Sequence, residues 1–320
     1  MTSTQSTRPP RLKPGDHVAL VAPSGSVLEQ DDLDRSVELC RALGLEPVLM
    51  PSARLRFGYL AGTDPERLAD LQSALDDPQV AAVWSIRGGF GLTRILQQVD
   101  FTAFRRRPKI ILGFSDITAL LLAAHAATGV VTYHGPVARR GLTSFARARL
   151  ERVLFQPTPA GELPLPSPPA GVTVPPEPRV VTLVPGAAEG TLLGGNLTLI
   201  QCLIGTGKLP SFRGAILFLE DVAEDLYRVD RTLAHLRDAG VLGGLAGVAV
   251  GQFTEMNRGT SEGMRSFHEV LLDYLQPLGV PAAAGFPIGH VSDQWTLPLG
   301  IRARLDAAAG ALSLLEGAVA

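Results

Sequence analysis

Through the first half of the chain, short apolar runs alternate with segments of helical spacing, and this alternation restricts the possible folds more than any other feature. His17–Ala22 reads as a strand, after which Leu33, Val37, Cys40 and Leu43 recur at helical intervals until Gly44. Pro47–Met50, Val80–Ile86, Lys109–Phe114 and Val130–Tyr133 read as further strands. Between them, Leu68, Leu71 and Leu75 share a helix face behind an N-capping Asp64 with Pro65 at the first helical position. Leu92–Val99 and Asp116–Thr128 are also helical. Strands separated by helices build a parallel sheet with helices on both faces, so the expected class is α/β.

The pattern breaks at Pro157–Pro178, where nine of the 25 prolines fall within 22 residues. That density leaves little room for packed elements and predicts an extended linker. Beyond it, Gly214–Leu219, Gly247–Gln252 and Ala282–Phe286 read as strands, and Leu226–Ala239 and Met264–Leu275 as amphipathic helices. Ile301–Ala320 suits a strand pair, or a strand and a short helix. The 320 residues therefore divide into an N-terminal domain (1–155), a Pro-rich linker (156–180) and a C-terminal domain (181–320).

Composition removes several classes of function. Twenty-nine Lys and Arg against 31 Asp and Glu give a net charge of −2, which provides no electrostatic reason to bind nucleic acid or an anionic membrane surface. Cys40 and Cys202 are far apart, and no His pair has metal-site spacing, so neither a disulfide scaffold nor a metal or other cofactor is expected. Ile117–Ala138 carries no Asp, Glu, Lys or Arg, but His125, Gly129, His134 and Pro136 interrupt it. It reads as a buried helix running into a buried strand rather than a membrane span. The first fifteen residues hold no apolar signal core, and a cytoplasmic protein is expected.

Open α/β sheets bind ligands beyond the carboxyl ends of their strands. In KIILGFSDITALLLAAH a strand runs through a small residue and Ser115 directly into a helix. That is the outline of a nucleophile elbow, although Ile117 stands where G-x-S-x-G has its second glycine; a simple helix cap has the same outline. Arg87-Gly88-Gly89-Phe90-Gly91 suits half of an oxyanion hole or a tight turn, and its glycine frame fails as a dinucleotide fingerprint at Arg94. Pro23-Ser24-Gly25-Ser26 favours a turn. Glu220 and Asp221 end an apolar strand, where a carboxylate either orients a histidine or caps a helix; Glu224 and Asp225 are better placed to cap. Of the six histidines, His125 suits the core and His235 and His268 suit helix surfaces. His290, in a Gly-rich loop, is the foremost catalytic candidate, followed by His134. A serine, an imidazole and a carboxylate together make nucleophilic hydrolysis possible.

The chain resembles the LD-carboxypeptidase family, serine peptidase family S66, which includes murein tetrapeptide carboxypeptidases and microcin C immunity proteins. The resemblance rests on LKPGDHVALVAPSG, RGGFG, ILGFSDITALL, YHGP, GTLLGGNLTLI, FLEDVAEDLYRVDRTLAHL and FPIGHVSDQWTLPLG. It implies a Rossmann-like parallel-sheet N-terminal domain, a smaller β-rich α/β C-terminal domain and a homodimer. It also implies Ser115 as nucleophile, Glu220 and His290 as its partners, and the N–H groups of Gly89 and Asp116 as oxyanion donors. The substrate implied is a small peptide, a murein tetrapeptide cleaved at its terminal D-alanine, or alternatively a peptidyl or aminoacyl nucleotide. For the latter, Trp295 is a candidate for a nucleotide cradle, although a core position suits it better. A solute-binding protein and a nucleotide-dependent oxidoreductase are the rivals from other classes.

Overall fold

The structure is a computed structural model and describes residues 6–167, 179–256 and 265–320. In chain order the first half runs β1 (His17–Val21), α1 (Gln30–Ala42), β2 (Glu46–Leu49), α2 (Asp64–Asp76), β3 (Val80–Ser85) and α3 (Leu92–Ile95). It continues with α4 (Thr102–Arg106), β4 (Ile110–Gly113), α5 (Thr118–Thr128), β5 (Thr132–His134) and α6 (Ser144–Leu154). The second half begins with β6 (Gly161–Glu162), β7 (Val181–Val184), β8 (Ala187–Asn196), α7 (Leu197–Leu203), β9 (Ala215–Val222) and α8 (Leu226–Asp238). It ends with β10 (Gly247–Thr254), α9 (Phe267–Leu275), β11 (Ala282–Ala284), β12 (Leu297–Leu299), β13 (Arg302–Asp306) and β14 (Ala311–Leu314).

The expected α/β class holds. Strands β2-β1-β3-β4-β5 form a parallel sheet, and the order reverses between β1 and β3, which makes that point the crevice where a doubly wound sheet takes its ligand. A sixth strand, β12, joins this sheet antiparallel to β5, so the C-terminal half completes the N-terminal sheet. The second sheet is mixed. Its centre, β8-β9-β10-β11, is parallel, with β7 on one side and β13, β14 and β6 on the other, all antiparallel. The charge-free stretch becomes α5 and β5, and most of it is fully buried. No helix among the described residues is long and apolar enough to cross a membrane.

Two local expectations need correction. The N-cap of α2 is Thr63 rather than Asp64, because Glu66 reaches back to the Thr63 N–H at 2.7 Å in a capping box. Asp64 is instead taken by Arg94 and Arg67. The Pro-rich stretch is also less extended than predicted at its start. Gly161–Glu162 pairs with β14, and the Leu163 N–H donates to the Leu312 carbonyl at 2.8 Å. These residues lie between the prolines and keep the N–H groups a ladder needs. Residues 168–178 of the predicted linker, and Met264 of a predicted helix, lie outside the described residues.

The two sheets meet through α5. The Asn196 N–H donates to Thr118 Oγ1 at 3.1 Å, and Gly195, at φ +144°, packs so tightly that a Cβ would come within 2.4 Å of Thr118 Cγ2. The seam beside this contact is aromatic. The buried His134 ring stands edge-on to Phe114, with centroids 5.8 Å apart, and to Phe218 at 5.2 Å. Burial, with the nearby His290 adding to it, pushes the His134 pKa down from 6.5 to about 3.

Two outcomes follow. Gly195→Ala should lose about 2–4 kcal/mol in urea denaturation, combining a left-handed backbone penalty with overpacking; an unchanged midpoint would remove this contact from the account. Below pH 6.5 the unfolded chain takes up a proton that the folded His134 ring refuses, so stability drains away as the pH falls toward 3. Denaturation at pH 7 and pH 4 should show the wild type losing a few kcal/mol more than His134→Phe. Parallel losses in the two proteins would show that His134 is not the source.

Candidate active site

Ser115 leaves β4 with φ +64°, in the left-handed region that a residue with a Cβ occupies only at a cost. It opens a single 3₁₀ turn, Ser115–Ile117, before α5 begins, and its side chain caps neither. Of the two outlines open to this segment, the strained elbow is therefore the one present. The chain accepts it because Gly113 has no side chain: a Cβ there would meet Ile117 Cγ2 at 2.9 Å. Ile117 is fully buried against that gap, which accounts for its place where a second glycine was looked for.

The glycine loop after β3 lies against the elbow. A Cβ on Gly88 would fall 2.9 Å from Ser115 Cβ, 3.1 Å from its Oγ and 3.3 Å from the Asp116 nitrogen. Gly89, at φ +113°, is exposed and packs its α-carbon face onto Gly25 of the loop after β1. All three loops of the switch point thus converge, and the Asp116 side chain ties them. Its buried carboxylate accepts from Ser24 Oγ at 2.6 Å and from the Leu92 N–H at 2.9 Å. Burial pushes the Asp116 carboxyl up, and these two hydrogen bonds oppose the shift. Sequence reasoning singled out only the backbone of Asp116. The signal for its side chain was an acidic residue directly after a strand-end serine, where no solvent is expected.

From the second sheet come a carboxylate and an imidazole. His290 Nδ1 and Glu220 Oε2 are 2.8 Å apart, with Glu220 fully buried and His290 partly exposed. Burial raises the Glu220 carboxyl above the ordinary carboxylate range, while the hydrogen bond to His290 pulls it down. Gly289 makes the approach possible, because a Cβ on it would overlap Glu220 Oε2 at 2.5 Å. The loop carrying His290 is fixed to β10 by the Gln252 N–H donating to the Ile288 carbonyl at 3.0 Å and by Gln252 Nε2 donating to the Gly285 carbonyl at 2.7 Å. His290 also stacks edge-on against Phe114, centroid to centroid 4.7 Å, which brings it beside the residue preceding Ser115.

The remaining candidates fall elsewhere. Asp221 points to the opposite face of β9, where it accepts from Asn196 Nδ2 at 2.8 Å and from the Thr198 N–H at 3.0 Å at the start of α7. Asp225 occupies the N-cap position of α8. His134 is sealed between the phenylalanines and its ring nitrogens have no partner among the described residues, so it packs beneath the site rather than facing it. His125 is a satisfied interior residue, with Nδ1 2.9 Å from the Val130 carbonyl oxygen. Trp295 is fully buried against Phe286, with its Nε1–H donating to the Pro164 carbonyl at 2.8 Å, and is not exposed to cradle a nucleotide.

Known proteins match the chain in both of its halves. Residues 18–135 match the model of the LD-carboxypeptidase N-terminal domain and residues 189–305 that of the LD-carboxypeptidase C-terminal domain. The murein tetrapeptide carboxypeptidase of Pseudomonas aeruginosa is 33% identical over 90% of this chain and 92% of its own length. The probable murein peptide carboxypeptidase of Bacillus subtilis is 39% identical over 94% and 92%. Among solved structures, muramoyltetrapeptide carboxypeptidase from Oxalobacter formigenes superposes with a TM-score of 0.78 at 30% identity, covering 93% of this chain and 97% of that one. The microcin C7 self immunity protein MccF in complex with aspartyl sulfamoyl adenosine superposes with a TM-score of 0.85 at 25% identity, covering 98% and 99%. With both domains matched in order along one chain, the protein belongs to the LD-carboxypeptidase family of peptidases.

Proposed function

We propose that the protein is a serine carboxypeptidase that hydrolyses the L,D-amide bond to the terminal D-alanine of murein tetrapeptides. The observation that carries the reading is the 2.8 Å contact between His290 Nδ1 and the buried Glu220, beside a serine held on a strained elbow. With Nδ1–H donating to the Glu220 carboxylate, the imidazole keeps its Nε2 lone pair free to take a proton. Ser115 Oγ attacks the scissile carbonyl as His290 Nε2 accepts its proton. The resulting oxyanion is met by the N–H groups of Gly89 and Asp116, each such donor being worth roughly 10²–10³ in kcat. Collapse returns the proton from His290 to the departing amine and leaves the acyl group on Ser115. Water then attacks this ester, gives a proton to His290 and releases the acid, restoring the Ser115 hydroxyl.

The murein substrate is supported by relatives that carry that name at 33% and 39% identity. Turnover of cell-wall peptides inside the cell suits a cytoplasmic enzyme, and the family resemblance adds a homodimer. A second reading keeps the same three side chains and changes the substrate to an aminoacyl or peptidyl nucleotide. The observation favouring it is the closer superposition on MccF, at a TM-score of 0.85 against 0.78 for the muramoyltetrapeptide enzyme.

Offering a murein tetrapeptide and an aminoacyl sulfamoyl adenosine side by side separates the two readings. Release of D-alanine in preference to the nucleoside analogue is expected, and the reverse preference would replace the first reading with the second. Ser115→Ala should reduce hydrolysis by several orders of magnitude with an unchanged melting curve. Glu220→Gln should lower kcat while leaving KM within a few-fold, because it disturbs the imidazole rather than substrate binding. Near-wild-type turnover in Ser115→Ala would end the assignment of the nucleophile.

A further inference from the structure

A carboxypeptidase must hold the free carboxylate of the residue it removes, and that group lies close to the bond being cut. Its carbon is two bonds beyond the scissile nitrogen, about 3–4 Å from the scissile carbonyl carbon. The carboxylate site must therefore adjoin the nucleophile and the oxyanion loop.

Arg87 stands on the loop that adjoins the nucleophile. It is the residue before Gly88, whose α-carbon face abuts Ser115. Its guanidinium lies along both glycine loops: a Cβ on Gly25 would sit 3.1 Å from Arg87 Nε, and a Cβ on Gly89 would sit 3.7 Å from Nη2. Only Nη1 is committed, donating to the Ser26 carbonyl at 2.6 Å, and the buried Nε has no partner among the described residues. No carboxylate forms a salt bridge with Arg87 among the described residues. The acidic side chain acting on it is Asp32, which is already taken by Arg139 at 3.3 Å and also faces Arg35 at 4.0 Å. Arg139 is held against the same strand end, its N–H donating to the Ile86 carbonyl at 3.1 Å, and its own Nε is likewise buried without a partner. Burial, and then the neighbouring Arg139, hold the Arg87 guanidinium below its ordinary pKa, with Asp32 opposing. Two half-buried arginines sharing one carboxylate leave a positive charge undercompensated beside the glycine loops, and the uncommitted Nη2 of Arg87 suits a second carboxylate.

We propose that Arg87, supported by Arg139, binds the α-carboxylate of the substrate's C-terminal residue and so restricts the enzyme to the free end of a peptide. This rests on the carboxypeptidase reading above and names the subsite which that reading needs. Arg139 acts through Arg87 and is a positioning residue. Asp32 keeps the pair from repelling each other but is too far committed to neutralise both.

The test reads binding without turnover, using the Ser115→Ala protein and two probes, a murein tetrapeptide and its C-terminal amide, in a calorimeter. The free acid should bind roughly 10- to 100-fold more tightly than the amide, the range of a charge-assisted pair. Adding Arg87→Met should bring the two affinities within about threefold of each other. Arg87→Lys, which keeps the charge and loses the fork, should retain part of the preference, and Arg139→Met should reduce it while leaving the glycine loops untouched. A merely structural role for Arg87 would weaken both probes equally and keep their ratio, and that result would overturn the proposal. Equal binding of acid and amide to Ser115→Ala, or no binding of either, would overturn it as well. Should Arg87→Met fail to fold, an unchanged ratio in both Arg87→Lys and Arg139→Met would decide against it. If the wild type releases no D-alanine while the acid preference still tracks Arg87, the peptidase reading fails and the carboxylate subsite stands.

Discussion

The absence of a side chain at Gly195 lets the C-terminal sheet lie directly on the start of α5, close enough for the next N–H, of Asn196, to bond Thr118 Oγ1. That close approach decides where the site can be. Helix α5 starts three residues after Ser115, and Asn196 is the register partner of Glu220 on the neighbouring strand. Fixing Thr118 against Asn196 therefore fixes the distance between the end of β4 and the end of β9. Ser115 lies in one half and Glu220 and His290 in the other, so a site built from these residues depends on the contact between the halves.

Around this contact the polar groups are buried where they hold backbone in place. Asp116 joins the loop after β1, the start of α3 and the elbow through two hydrogen bonds. Arg67 is completely buried, donates to the Gly91 carbonyl at 3.0 Å and to that of Pro23, and pairs with Asp64. It braces from behind the same two loops that Asp116 ties from the front. Burying such charges is costly, and each is offset by hydrogen bonds to loops that have no regular ladder of their own. What this arrangement secures is geometry: a positive φ at Ser115 persists only if its surroundings over-determine it.

The parallel sheet, most of its helices and the strand-end positions of Ser115 and Glu220 were legible because apolar periodicity and strand-end position are local properties. What was missed depends on distant parts of the chain. Strand β8 was not seen because Gly190, Gly194 and Gly195 dilute its β pattern, and they are there for close approaches to β9 and α5. Strand β12 is three residues containing a proline, and it exists because β5 offers an edge. Ser115 could be either a cap or a nucleophile, since both outlines share the residue order and differ only in φ. Choosing Glu220 over Asp221 needed the resemblance, because β9 is buried on both faces and carries no alternation to say which carboxylate faces His290.

The charge pattern across the site also has a direction. On the side of the first sheet stand Arg87 and Arg139, Arg87 lying along the glycine loops that adjoin Ser115. On the side of the second sheet the buried Glu220 lies behind His290, and among the described residues no Lys or Arg forms a salt bridge with it. A peptide lying between the two meets positive charge at one end and, at the other, an imidazole backed by a carboxylate. In the subsite proposed above, a chain terminus bearing a carboxylate is drawn toward Arg87, and the amide immediately before it is then presented to Ser115. The opposite orientation would set the carboxylate against Glu220. In the proposed mechanism the polarity that activates the serine through His290 is thus the same polarity that selects which end of a peptide enters, so that end-selectivity and catalysis come from one distribution of charge.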